Sequence, residues 1–178
     1  MRTFLANGRR LATLMGGVLL VAGCATTGPS VIGSPYNDAD IVAITMASNN
    51  GEILTSEPAL EKATAPAVRD FAQLMVHDHT AANEQLRHVG VEPQENDLSR
   101  QLTGSAAETV QALATYSGAQ YDRAYMDAQI AMHRYTLNAL DNTLIPAARR
   151  RHLINTLKQI RETVASHLEQ AEQVRAGL

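Results

Sequence analysis

With 178 residues and one cysteine, the chain has room for a single domain with a real core and cannot form an internal disulfide. Its 15 Lys and Arg against 18 Asp and Glu, with the arginines scattered, exclude the basic footprint of a nucleic-acid-binding protein. Tryptophan is absent and only two phenylalanines occur, while Ala and Leu abound, a mixture that favours closely packed helices over strands.

Residues 1–23 read as a signal peptide. Arg2, Arg9 and Arg10 form a positive head, and Leu11 to Val21 is an apolar run shorter than the roughly 20 residues that cross a bilayer. Val21-Ala22-Gly23-Cys24 resembles the lipobox of bacterial lipoproteins. That resemblance implies cleavage before Cys24, lipidation of its thiol and attachment to the membrane. Ala25 in place of Asp implies, by the same likeness, the outer membrane with the domain facing the periplasm. Loss of the signal leaves twelve basic and eighteen acidic residues, a net charge of −6. Residues 24–37, rich in Gly and Pro, read as a tether, and residues 38–178 as the folded domain.

The punctuation predicts a first helix from about Asp38 to Ala63, capped by Asn37 or Asp38 and kinked or interrupted at Pro58. A second starts near Pro66 and stops before Gly90. After a polar connection, Ser105-Ala-Ala-Glu108 has the form of a capping box and predicts a short accessory helix ending at Gly118. A further helix covers about Ala119 to Thr143, and Pro146 is expected to open the last one, which runs almost to the C-terminus. No stretch reads as a strand. The expected fold class is all-α, a four-helix bundle with an additional short helix.

Three helices carry apolar seams, each interrupted by one histidine. These are Val68, Ala72, Met75, His79, Ala82, Leu86; then Met126, Ile130, His133, Leu137, Leu140; then Leu153, Leu157, Ile160, Val164, His167, Ala171. Asp78, Asp122, Tyr125, Gln129 and His167 are expected in a buried polar layer. His77, His88 and His152 fall off the seams and read as surface residues. Placing the last interhelical turn near residue 145 sets Asp122 and His167 at one level, so they are expected to pair.

Phe71-Ala-Gln-Leu-Met-Val-His-Asp-His79, Tyr121-Asp-Arg-Ala-Tyr125, Gln129 with His133, and Ser166-His-Leu168 resemble a bacterial family known as domain of unknown function 4142. The likeness runs from about Asp38 to Val174 and implies a ferritin-like helical bundle common in exported proteins. It implies no reaction.

Di-metal ferritin-like proteins draw on Glu-x-x-His motifs from two helices, and the chain has none. Di-iron chemistry therefore loses its warrant. A single divalent ion, Zn, Fe or Mn, remains open, held by Glu52, His79 and His133, which fall near mid-bundle when measured from their turns at about 1.5 Å per residue. His167, counted from the same turns, stays outside that set. No nucleophile elbow or phosphate-cradling loop is present. Two readings stay open: a non-catalytic envelope protein that binds an envelope or cell-wall partner or responds to stress, and a metal-binding bundle.

Overall fold

The computed structural model describes residues 34–178; the signal peptide, Cys24 and most of the tether lie outside them. Among the described residues the regular structure is entirely helical. Helix α1 (Asp38–Lys62) starts where Asn37 accepts hydrogen bonds from the amides of Ala39 and Asp40 and the Asp40 carboxylate accepts one from the Asn37 amide, a reciprocal cap. Pro58 does not interrupt it. Helix α2 (Pro66–Arg87) has proline in its first turn, where no amide partner is needed. The chain leaves it through Gly90, whose φ of 73° suits glycine alone without strain.

Helix α3 (Asp97–Leu113) begins eight residues before the expected Ser105. Asn96 and Ser99 cap it reciprocally, and the Asn96 side chain also donates to the Asp40 carbonyl of α1 at 3.2 Å. A cap tied to another helix outcompetes the isolated Ser105–Glu108 pattern, which lies in mid-helix.

Helix α4 (Gly118–Ala139) also differs from expectation. It does not stop near Thr143 but continues through a π-helical turn, Leu140–Leu144, into α5, the single turn Ile145–Ala147. Pro146 therefore ends this helical rod and does not open the next; α6 (Arg151–Ala176) starts five residues later.

Side-chain bonds give the topology. α1 runs antiparallel to α2 through Asn49 to His79 and Asn83. It runs antiparallel to α4 through Ser48–Thr136, Ser56–Tyr125 and Thr64–Asp122. α6 is antiparallel to α4 through Arg161–Asp141, Arg134–Glu172 and Arg175–Asp127, and it meets α2 at Asp78–His167. The order is up, down, down, up. The two consecutive down helices require one long crossover, and α3 supplies it by running back along α1, as in ferritin-like bundles. Gly51 permits that approach: a Cβ there would sit 3.2 Å from the Ala106 Cβ of α3.

Two aspartates repeat one role at opposite ends. Asp38 accepts from the amides of Arg149 and Arg150, just before α6, and Asp122 accepts from those of Thr64 and Ala65, just before α2. Each thus satisfies the amides of another helix's N-cap residue and of the residue before it, fixing the turn that leads into that helix.

The core has two apolar clusters. One gathers Ile41, Ile44, Leu86, Leu140, Leu153, Leu157 and Val164; the other gathers Ala59, Val68, Phe71, Met75, Tyr121, Tyr125 and Met126. Burial of each large side chain contributes roughly 1.5–3 kcal/mol. Between the clusters lies a buried polar stratum of Asn49, Glu52, Thr55, His79, Asn83, Gln129, His133 and His167. No helix among the described residues is long and apolar enough to cross a membrane.

A candidate three-histidine metal centre

His79 on α2, His133 on α4 and His167 on α6 each point from an apolar seam into this stratum, and their exposures are 3%, 0% and 2%. The ring centroids form a nearly equilateral triangle with sides of 5.8, 5.4 and 5.5 Å. Each ring offers one nitrogen, and the three lie within 4.8 Å of one another. Three imidazoles bound tetrahedrally at about 2.1 Å place their ring centres roughly 5 Å apart. The observed triangle is a few tenths of an ångström wider, within reach of small side-chain movements.

The outer ring nitrogens are all engaged. His133 Nδ1 donates to the Gln129 carbonyl at 2.8 Å, and His167 Nε2 donates to Asp78 Oδ2 at 2.9 Å. Both acceptors lack a proton to give, so these nitrogens carry the N–H. His79 Nδ1 meets Asn49 Oδ1 at 3.0 Å. The Asn49 amide orientation is set in turn, because its Nδ2 donates to Asn83 Oδ1 and Asn83 Nδ2 donates to Asn50 Oδ1. The remaining nitrogens, His79 Nε2, His133 Nε2 and His167 Nδ1, are lone-pair acceptors, buried and without a hydrogen-bond partner.

An ordinary core histidine satisfies its buried nitrogens, since leaving one unpaired costs about 1–3 kcal/mol. Here three unpaired nitrogens converge. Burial holds all three rings below the usual imidazole pKa. For His79 the neighbouring His133 and His167 add to the depression. His133 is pushed down to about 4, chiefly by burial. For His167 burial outweighs the opposing pull of Asp78. The rings are therefore neutral at pH 7, the form that binds metal.

The structure separates the residues the sequence grouped. It brings His79 and His133 together and adds His167, which the sequence reasoning left out. Glu52 is not in the cluster: its Oε1 lies 3.5 Å from His133 Nδ1, on the nitrogen that already donates to Gln129. Burial raises its pKa to about 8, although Gln129 beside it pulls the other way. Gln129 also donates to Thr55 Oγ1 at 3.1 Å, and the Tyr125 hydroxyl pairs with Ser56 Oγ at 2.8 Å.

Asp122 and His167 do not pair. Asp122 is buried, as expected, but binds the α1–α2 turn, with the Thr64 amide at 2.9 Å, its hydroxyl at 2.5 Å and the Ala65 amide at 2.9 Å. His167 takes Asp78, a partly exposed side chain at 26%. The cause is the extension of α4 through residues 140–147. It moves the last turn to residues 148–150, so His167 slides from the level of Asp122 to that of His133.

Three neutral imidazoles suit zinc and the imidazole-preferring ions of iron, copper and nickel, and suit the harder magnesium and calcium poorly. They fill three tetrahedral positions and leave one.

The sequence profile of the family described as Domain of unknown function (DUF4142) matches residues 26–174, and the chain belongs to that family. No curated protein and no solved structure matches the chain.

Proposed function

We propose that this member of the DUF4142 family binds one divalent transition-metal ion through His79 Nε2, His133 Nε2 and His167 Nδ1, and does so in the bacterial envelope, tethered by lipidated Cys24. The convergence of three buried, unpartnered imidazole nitrogens supports the first part. The order positive head, short apolar run and Val21-Ala22-Gly23-Cys24 supports the second. Outer acceptors on all three rings add weight, because metal-bound histidines nearly always donate their second nitrogen to such a group.

Metal analysis of the protein purified without a His tag tests the reading. One zinc-class ion per chain is expected. In the metal-stripped protein, adding zinc to about 100 times its Kd should stabilise the fold by roughly 2.7 kcal/mol. Substoichiometric metal together with an indifferent melting temperature would remove it. Palmitate labelling lost in Cys24→Ala checks the anchor separately.

A further inference from the structure

Resting on the metal-binding reading, we infer that the fourth coordination position is exchangeable, opens onto a cavity between α2 and α6, and takes water or, in its place, a small monovalent anion. The stratum around the centre is closed on its other sides. Towards α1, Asn49, Glu52 and Thr55 are each 1% exposed, and towards α4 Gln129 and His133 are 0% exposed. The apolar clusters close the two remaining directions along the bundle axis.

Between α2 and α6, among the described residues, a cavity reaches His79 and His167. It has a volume of about 310 Å³ and is lined by Ala82 and Gln85 of α2, Gln159 and Thr163 of α6, and His79 and His167, whose metal-facing nitrogens are buried behind it. At about 30 Å³ of liquid volume per water, it holds several waters or a small ion. His133 does not line it, so this ring backs the centre while His79 and His167 flank its open side.

Among the described residues the walls carry no lysine or arginine, and Asp78 is the one carboxylate at the cavity. The protein alone therefore has nothing to attract an anion here. A bound divalent ion supplies that attraction, and a ligand the size of azide passes between walls whose residues are small or flexible.

The test uses the metal-stripped full chain reloaded with Co²⁺, whose visible bands report coordination number, and titrates it with azide. Saturable band shifts are expected in the cobalt protein, and isothermal titration should find no azide binding in the metal-stripped protein. Ala82→Phe fills the cavity and should keep cobalt stoichiometry while weakening azide at least about tenfold. Thr163→Phe blocks from the exposed opposite wall and should do the same, so a folding failure of the first variant leaves the question decided. Cobalt binding with bands indifferent to azide overturns this inference alone, as does an unchanged azide response in the blocked variants. Failure to bind cobalt, zinc or copper overturns the metal reading and this inference with it.

Discussion

Asp78 holds His167 by a 2.9 Å hydrogen bond to Nε2, and in doing so turns the opposite nitrogen, Nδ1, towards His79 and His133. The same aspartate accepts from His77 through its other oxygen at 2.8 Å. The Asp78 carboxylate stays below its usual pKa: burial pushes it up, but bonds to His77 and His167 outweigh that. A fixed anion behind a ring raises the ring's basicity towards a metal and removes its rotational freedom.

Asp78→Ala should therefore weaken metal binding about 10–100-fold without abolishing it. Competition against a chelator of known affinity measures this. The metal-free variant should lose no more than about 1–3 kcal/mol, the cost of leaving His167 Nε2 without its acceptor. Unaltered affinity would mean that the rings do not depend on their outer acceptors.

His167→Leu separates a metal centre from a merely structural polar layer. In the metal-free protein the substitution removes one unpartnered buried nitrogen and fills the space with apolar volume, while Asp78 can turn to water and His77. Metal-free stability should stay within about 1 kcal/mol of the parent. The stabilisation on adding zinc should vanish. Denaturant melts with and without zinc read both. A metal-free loss of several kcal/mol with the zinc response intact would show His167 to be a core residue only.

Seam spacing on α2 and α6 predicted which residues face inward, and the three histidines stood out as breaks in apolar stripes. Their mutual height did not follow. It depended on where α4 ends, and Pro146 there fits the first turn of a new helix as well as the last turn of an old one. The π-helical turn at Leu140–Leu144 carries no Gly or Pro to announce it. The start of α3 was misplaced for a comparable reason: Asn96 is a favoured N-cap residue but lacks the Glu or Gln three positions on that marks Ser105–Glu108, and its contact with Asp40 decides in its favour. Local chemistry specified elements, and tertiary contacts chose among equivalent boundaries.

The role of Asp122 gives a stability prediction independent of metal. Its carboxylate accepts the Thr64 and Ala65 amides and the Thr64 hydroxyl, so Asp122→Ala should cost about 1–3 kcal/mol, the loss of hydrogen bonds to a charged group that leaves those donors unpaired. Burial alone would raise its pKa, but the Thr64 and Ala65 bonds outweigh burial and hold it below the usual value. A depressed folded pKa contributes stability above the unfolded value near 3.9 and loses it as pH falls through the folded one. Acid melts of Asp122→Asn should therefore be flatter below about pH 4 than those of the parent. Equal slopes would assign the acid limb to other carboxylates. The cost of Asp122→Ala should also add to that of His167→Leu, since the two sites share no partner.

Metal affinity should depend on pH through two separate limbs. Protons compete with the ion for His79 Nε2, His133 Nε2 and His167 Nδ1. Burial holds all three rings below 6.5 and His133 at about 4, so this competition is absent at pH 7 and grows only as pH falls further. The lower limb should thus begin below about pH 6.5, the ordinary imidazole value. Glu52 supplies the upper limb. Burial lifts it to about 8, so near pH 7 it is protonated in the metal-free protein, 3.5 Å from His133 Nδ1. A cation bound beyond that ring favours the carboxylate, and binding then releases the Glu52 proton. Affinity should rise by up to about tenfold per pH unit up to pH 8 and level off above it. Glu52→Gln cannot release that proton and should be flat between pH 6.5 and 8 while keeping the lower limb. Chelator-buffered titrations of both proteins from pH 5 to 9 measure the two curves. An upper limb that persists in Glu52→Gln would show that another group supplies the proton. A lower limb starting above pH 7 would show that the rings are not held neutral by burial.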